Sequence, residues 1–174
     1  MTTNIIISAN GEFNSTFTVA VYKSFVNQIP STNLIAEPVV YEVEETPNPS
    51  KFSVNAQGEF TFLANNPVTA SIGFTVGRLG AGNSESIWIF AQNRVSQGPD
   101  VWVNAGSPIA LAETISVTQS ITFPFVIARP NIGDTFRIMI EPEDASEQMG
   151  VFSEPALGSH DEVPSVNLSL QFWD

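Results

Sequence analysis

Apolar and polar residues alternate along much of this chain. Val68, Ala70, Ile72, Phe74 and Val76 are interleaved with Thr69, Ser71, Gly73, Thr75 and Gly77. Val166, Leu168, Leu170 and Phe172 are interleaved with Asn167, Ser169 and Gln171. Ile121, Phe123, Phe125 and Ile127 repeat the pattern, as do Phe136, Ile138 and Ile140. Successive side chains of a strand point to opposite faces, so this period of two sets one face toward a core and the other outward. Nowhere does a helical apolar period persist over three turns. The pattern predicts an all-β protein.

Turn-forming residues separate these runs at short intervals. They are Asn10-Gly11, Pro47-Asn48-Pro49, Gly58, Asn65-Asn66-Pro67, Gly80 to Asn83, Gly98-Pro99-Asp100, Gly106, and Asn131 to Asp134. Many short strands at such spacing predict a sandwich, jelly roll or barrel. Prolines belong in the turns or at sheet edges, where no ladder hydrogen bond is lost. Pro124 interrupts an otherwise good strand and predicts an edge or a bulge there.

Two runs lack the alternation: SIWIFA at 86–91 and VWV at 101–103. A strand apolar on both faces is expected to be buried on both. In a two-sheet domain one face meets the core, so a neighbouring subunit, a long loop or the N-terminal arm must cover the other. Residues 141–163 form the longest weakly patterned stretch, read as functional, mobile or packed on a partner. Residues 1–12 read as an N-terminal arm and 13–174 as one domain, a length that suffices to bury a core.

Composition narrows the function classes. Apolar residues make up 43 % of the 174 and charged residues only 14 %, so solvation rests on uncharged polar groups or part of the surface is covered by partners. Eighteen acids against six Lys and Arg give a net charge of −12, and the basic residues are scattered. Without a basic stripe there is little to neutralise phosphates, so nucleic acid and anionic membrane are not expected partners. With no Cys, disulfides and thiolate metal sites are excluded. The opening MTTNIIISANGEF has no basic region or long apolar run of the kind a signal peptide carries, and folding in a cytoplasm is expected.

Candidate chemistry is sparse. His160 lies beside Asp161 and Ser159, but a catalytic triad is assembled across a fold rather than from neighbours in an acidic loop. Gly77-Arg78-Leu79-Gly80-Ala81-Gly82 has the glycines of a phosphate loop without its Lys-Ser/Thr pair, and a strand connection is expected instead. Glu141, Glu143, Asp144 and Glu147 could supply oxygens to a structural Ca²⁺, although their spacing is not that of an EF-hand, and a solvated acidic loop is the simpler reading. The same holds for Glu42, Glu44 and Glu45. Trp88, Trp102 and Trp173 could stack on sugars, but tryptophan in a strand is more often core or interface material. No catalytic or cofactor-binding residue is assigned, and no enzymatic activity is expected.

Taken in order, the segments resemble the jelly-roll domain shared by tumour necrosis factor and the globular heads of complement-type proteins. STFTVAVY resembles the family's opening strand, and PVVYEVEETPNPSKFSVNAQGEFTF its strand, irregular loop, short strand and Gly-x-Phe. VTASIGFTVGR stands in the place of the long core strand. ARPNIGDTFRIMI resembles the strand, Gly-Asp turn and following strand, and VNLSLQFW the closing strand at the centre of the inner sheet. Asn66-Pro67 stands where the family has Pro-Gly. The resemblance implies a two-sheet antiparallel jelly roll that puts Phe60 in the core and packs its inner sheets about a threefold axis, covering strands such as 86–91. It further implies a homotrimeric virion structural protein, a decoration or cement protein bound to the major capsid protein at the surface of a bacteriophage head. The alternative is a fibre-tip or receptor-binding adhesin that uses the loops at one end.

Overall fold

The computed structural model describes residues 2–8, 12–45, 49–80, 86–112, 119–127, 130–159 and 161–173. Its strands are β1 (Thr2–Ser8), β2 (Glu12–Ser24), β3 (Glu37–Pro38), β4 (Val43–Glu44), β5 (Phe52–Val54), β6 (Phe60–Phe62) and β7 (Val68–Arg78). They continue with β8 (Ser86–Arg94), β9 (Val103–Ala112), β10 (Gln119–Ile127), β11 (Thr135–Pro142), β12 (Met149–Val151) and β13 (Val166–Trp173). A single 3-10 turn, Ala145–Glu147, is the only helical element among the described residues. The all-β expectation holds.

The strands form two antiparallel sheets. One has the order β1-β2-β13-β7-β10, with β12 added to β7 and β4 to β2. The other has the order β5-β6-β11-β8-β9, with β3 added to β11. For brevity these are sheets A and B. Their facing residues make a β-sandwich core, in which Ala70, Ile72, Phe74, Leu168, Leu170 and Phe172 of sheet A meet Phe60, Phe62, Ile87, Ile89, Phe136 and Ile138 of sheet B. The alternation in β7 and β13 is therefore the core face, as their period predicts.

Aromatic rings lock the two sheets together. Phe52 stacks on Phe172 across the sandwich at 5.1 Å, and Phe60 stacks on Phe136 at 4.7 Å. Tyr22 meets Phe52 and Phe60 edge-on. Such offset and edge-to-face pairs add about 0.5–1.5 kcal/mol each beyond the area they bury. The turn between β5 and β6 delivers two of these rings. Asn55 Oδ1 accepts from the backbone N–H of Gln57 and Glu59, and Gly58 N donates to Asn55 O. Gly58 sits at φ +70°, where a side chain is strained, and a Cβ on it would lie 1.9 Å from the carbonyl oxygen of Val39. Phe60 is fully buried, as expected.

Several expectations need correcting. Gly106 does not make a turn but lies within β9, where the pairing with β8 shifts register between Ile89 and Ala91. A glycine inside a strand often marks such an irregularity. Strand 86–91 is covered within the chain itself, since Ile87 and Ile89 face the core while Phe90, on the other face opposite Met139, is also buried. It belongs to sheet B, away from the central strand β13. The run at 101–103 is not a doubly buried strand: Val101 is 58 % and Val103 63 % exposed. Residues 141–163 are more ordered than their pattern suggests, holding the 3-10 turn, β12 and an isolated bridge from Glu154 to Val163. Pro124 sits in β10, an edge strand, one of the two places expected for it.

Candidate interaction surfaces

The structure distributes the sequence's chemical candidates rather than gathering them. Ser159 and Asp161 are exposed, and His160 lies outside the described residues. Glu143 accepts from Ser86 N at 3.0 Å, and Asp144 caps the 3-10 turn by accepting from Ser146 N at 2.8 Å. Those Ser146 bonds, side chain and backbone, hold the Asp144 carboxyl below its ordinary value. Glu147 turns inward to pair with Arg78 at 3.3 Å, with both side chains largely buried. Glu143, Asp144 and Glu147 are thus held separately, and among the described residues no group of three or more acids or histidines is placed to share a metal ion. Glu44 accepts from the Tyr22 hydroxyl and Glu45 pairs with Lys23. Gly80 N donates to Glu147 O, and its bare α-carbon permits that approach.

On the outer face of sheet B a latch of side chains holds the segment between β8 and β9. Arg137 Nε and Nη2 donate to Gln92 Oε1 at 3.0 and 2.8 Å, and Nη1 reaches Glu59 at 3.4 Å. Arg94 donates to Thr135 Oγ1 and pairs with Asp100 at 3.1 Å. The ring of Trp102 lies against both guanidiniums, 4.1 Å from Arg137 and 4.8 Å from Arg94. Burial draws the Arg137 guanidinium below its ordinary value, Glu59 pushes it back, and Arg94 adds to the fall. This explains why 101–103 departs from a buried strand: cation–π attraction to two partly desolvated arginines takes Trp102 onto the sheet and leaves its flanking valines out. Reading the basic residues as scattered missed this, although Arg137 stands at an outward position between Phe136 and Ile138.

Trp173 is half-buried, its ring 5.5 Å from that of Phe17 and its Nε1 donating to Thr69 Oγ1 at 3.3 Å. It is a packing residue at the rim of sheet A. Trp88 is also half-buried, opposite Glu141.

The outer face of sheet A is different in kind. The side chains of β13 and β7 that point away from the core are Asn167, Ser169 and Gln171 beside Thr69, Ser71 and Gly73. None is charged. The edge strands on the same flank of both sheets, β9 (VNAGSPIALA) and β10 (QSITFPFVI), contain no charged residue either. On a chain of net charge −12, a flank and a central stripe without charge, bordered on β2 by the Lys23–Glu45 pair, are where another copy meets least repulsion. Edge strands usually carry charges that deter pairing, and these carry only proline, glycine and a register shift.

No family model matches the chain, and no curated protein matches it.

Proposed function

We propose that the chain is a tumour-necrosis-factor-like jelly roll that forms a homotrimer and acts, without enzymatic chemistry, as a capsid decoration or cement protein of a bacteriophage head. The strand order supports the fold. From β6 onward the chain crosses between sheets at β6 to β7, β7 to β8, β9 to β10, β10 to β11 and β11 to β12. The closing strand β13 lies between β2 and β7, at the centre of its sheet. A jelly roll, which winds two Greek keys over two sheets, calls for repeated crossings of this kind.

The single observation that carries the proposal is the charge-free flank formed by β9 and β10 together with the uncharged outer stripe that β13 and β7 share on sheet A. The flank of one subunit set against the face of the next is a heterologous contact, and three such contacts close a ring. A trimer at a local threefold position would tie neighbouring capsid subunits together, and binding only to the assembled shell stabilises that shell by mass action. The protein then works through surface burial.

Two measurements test this. Light scattering coupled to size exclusion is expected to give a trimer of the 18.8 kDa chain at micromolar concentration. Mass spectrometry of purified virions is expected to find the chain in stoichiometric amount. A stable monomer defeats the assembly, and virions free of the protein defeat the capsid role.

A further inference from the structure

We propose that the outer face of sheet B carries a binding site for a neutral pyranose sugar, with the ring of Trp102 as its platform and Asp100 and Asn104 as its hydrogen-bonding arms. The site does not depend on the decoration reading, because it is built entirely from side chains of one chain.

Asp100, Trp102 and Asn104 alternate with Val101 and Val103, and their contacts set the three over one patch of the sheet. Asp100 Oδ1 accepts from Arg94 Nη1 at 3.1 Å. The Trp102 ring lies 4.8 Å from the Arg94 guanidinium and 4.1 Å from that of Arg137. Asn104 Oδ1 accepts from Gln92 Nε2 at 3.1 Å, and Gln92 Oε1 accepts in turn from Arg137. Gln92 and Arg137 are directly opposite each other on β8 and β11, so both stand on the outward face. The carboxylate, the ring and the amide are thus tied together through the sheet beneath them.

A pyranose presents a patch of C–H bonds and a rim of hydroxyls. The C–H patch is slightly positive and suits the negative face of an indole ring. The hydroxyls call for a carboxylate that accepts and an amide that donates. Trp102 is only partly buried, and both guanidiniums reach it from the sheet, which leaves the opposite side of the ring toward solvent. The Asp100 side chain is 87 % exposed and meets Arg94 through Oδ1, so Oδ2 points to a ligand hydroxyl as its acceptor. Asn104 is exposed and meets Gln92 through Oδ1, so its Nδ2 is the donor. An ion pair as exposed as Arg94–Asp100 adds little to stability. Its larger effect is to hold the carboxylate beside the ring before a ligand arrives, which lowers the ordering cost of binding.

Charge selects the class of sugar. Arg94 is matched by Asp100 and Arg137 by Glu59. An acidic sugar would have to displace one of these carboxylates on a chain of net charge −12. A nucleic-acid base would stack on the same ring but brings phosphates that meet the same repulsion. A neutral sugar uses the ring and both arms without either penalty.

The test applies the full-length protein, fluorescently labelled, to an array of neutral gluco-, galacto- and manno-configured glycans together with sialylated ones. Hits are then titrated as free oligosaccharides by calorimetry. Binding to neutral glycans is expected, with little change from about 0.05 to about 0.5 M salt, since no net charge on the ligand is there to be screened. Asp100→Ala is expected to weaken binding at least about 10-fold and Asn104→Ala at least about 3-fold, as the loss of a charged and of a neutral hydrogen bond. Both positions are exposed, so their melting temperatures should stay within about 2 °C of the parent. Trp102→Ala should abolish detectable binding, while Trp173→Phe, at the rim of sheet A, should bind within about 2-fold of the unchanged protein. Where Trp102→Ala does not fold, the Asp100 and Asn104 variants decide. Binding to no glycan, binding confined to sialylated glycans, or unchanged binding by the Asp100 and Asn104 variants overturns the site. None of these results alters the subunit mass or the presence of the chain in virions, so the decoration reading stands or falls separately.

Discussion

Replacing Gly58 with alanine puts the packing of the β5–β6 corner under direct test. The residue sits at φ +70°, and forcing an L side chain into the left-handed region costs roughly 1–2 kcal/mol. A Cβ would also come within 1.9 Å of Val39 O, which is backbone and cannot rotate aside. Val39 is held by its own N–H to Ile138 O at 2.9 Å, and Val40 is gripped by the Gln28 side chain through Val40 N at 2.8 Å and Val40 O at 2.9 Å. The corner itself must therefore shift, and overpacking of this kind costs about 1–3 kcal/mol more. A total near 3 kcal/mol corresponds to a loss on the order of 10 °C in melting temperature for a chain of this size. Gly158→Ala is the internal control, since Gly158 also has positive φ, +64°, but meets nothing within 4 Å. It should lose only the conformational part, about 1–2 kcal/mol. Both variants are read by urea unfolding at one fixed protein concentration, because association contributes to the apparent stability of an oligomer. Equal losses at the two positions would refute the steric argument and with it the account of why this corner demands glycine.

Tyr41→Phe is expected to leave stability unchanged or raise it by about 1 kcal/mol in urea unfolding, because the Tyr41 hydroxyl is buried without a hydrogen-bond partner among the described residues; a clear loss would mean a partner exists. Burial pushes the same phenol well above its ordinary value, so absorbance titration should show no Tyr41 ionisation while the protein stays folded. Asp134 has a folded value below that of the unfolded chain, so its contribution is complete above the ordinary carboxylate value of about 4 and fades as pH falls through the lower folded value. Asp134→Asn should therefore be less stable at neutral pH and converge with the parent toward pH 2, and a constant difference would refute the linkage. A double-mutant cycle on Arg137→Met and Trp102→Ala is expected to give a coupling of about 0.5–2 kcal/mol, the range of a partly desolvated cation–π pair; additivity within error would dismiss the latch. Ser71→Glu places a carboxylate at the middle of the outer face of sheet A, opposite Ser169 and Pro124, and should yield folded monomers by light scattering; an intact trimer would move the subunit contact elsewhere.

The stability tests and the assembly tests probe different layers of the molecule. Gly58, Tyr41 and Asp134 belong to the sandwich of one subunit, and their effects follow from contacts already within the chain. Ser71 has little to do with folding. If it matters, it is because another surface comes to meet it. An adhesive protein should show this division, with substitutions that spare the fold yet abolish assembly.

The sequence by itself determined the fold class and most of the strands, because a period of two is a local property and each of Val68 to Val76 or Val166 to Phe172 declares its own face. It also marked Gly58 and Pro124 correctly, since φ and the missing N–H are properties of single residues. What only the tertiary structure decided is where long-range partners lie. Gly106 looks like a turn until β8 is set beside it. The valines at 101 and 103 look buried until Arg137, distant in the chain, is found 4.1 Å from the Trp102 ring with Arg94 at 4.8 Å. Glu147 reads as one more acid of a loop until Arg78 is found 3.3 Å away. Burial and pairing depend on separation in space, and a local pattern carries no record of which distant residue will fill it.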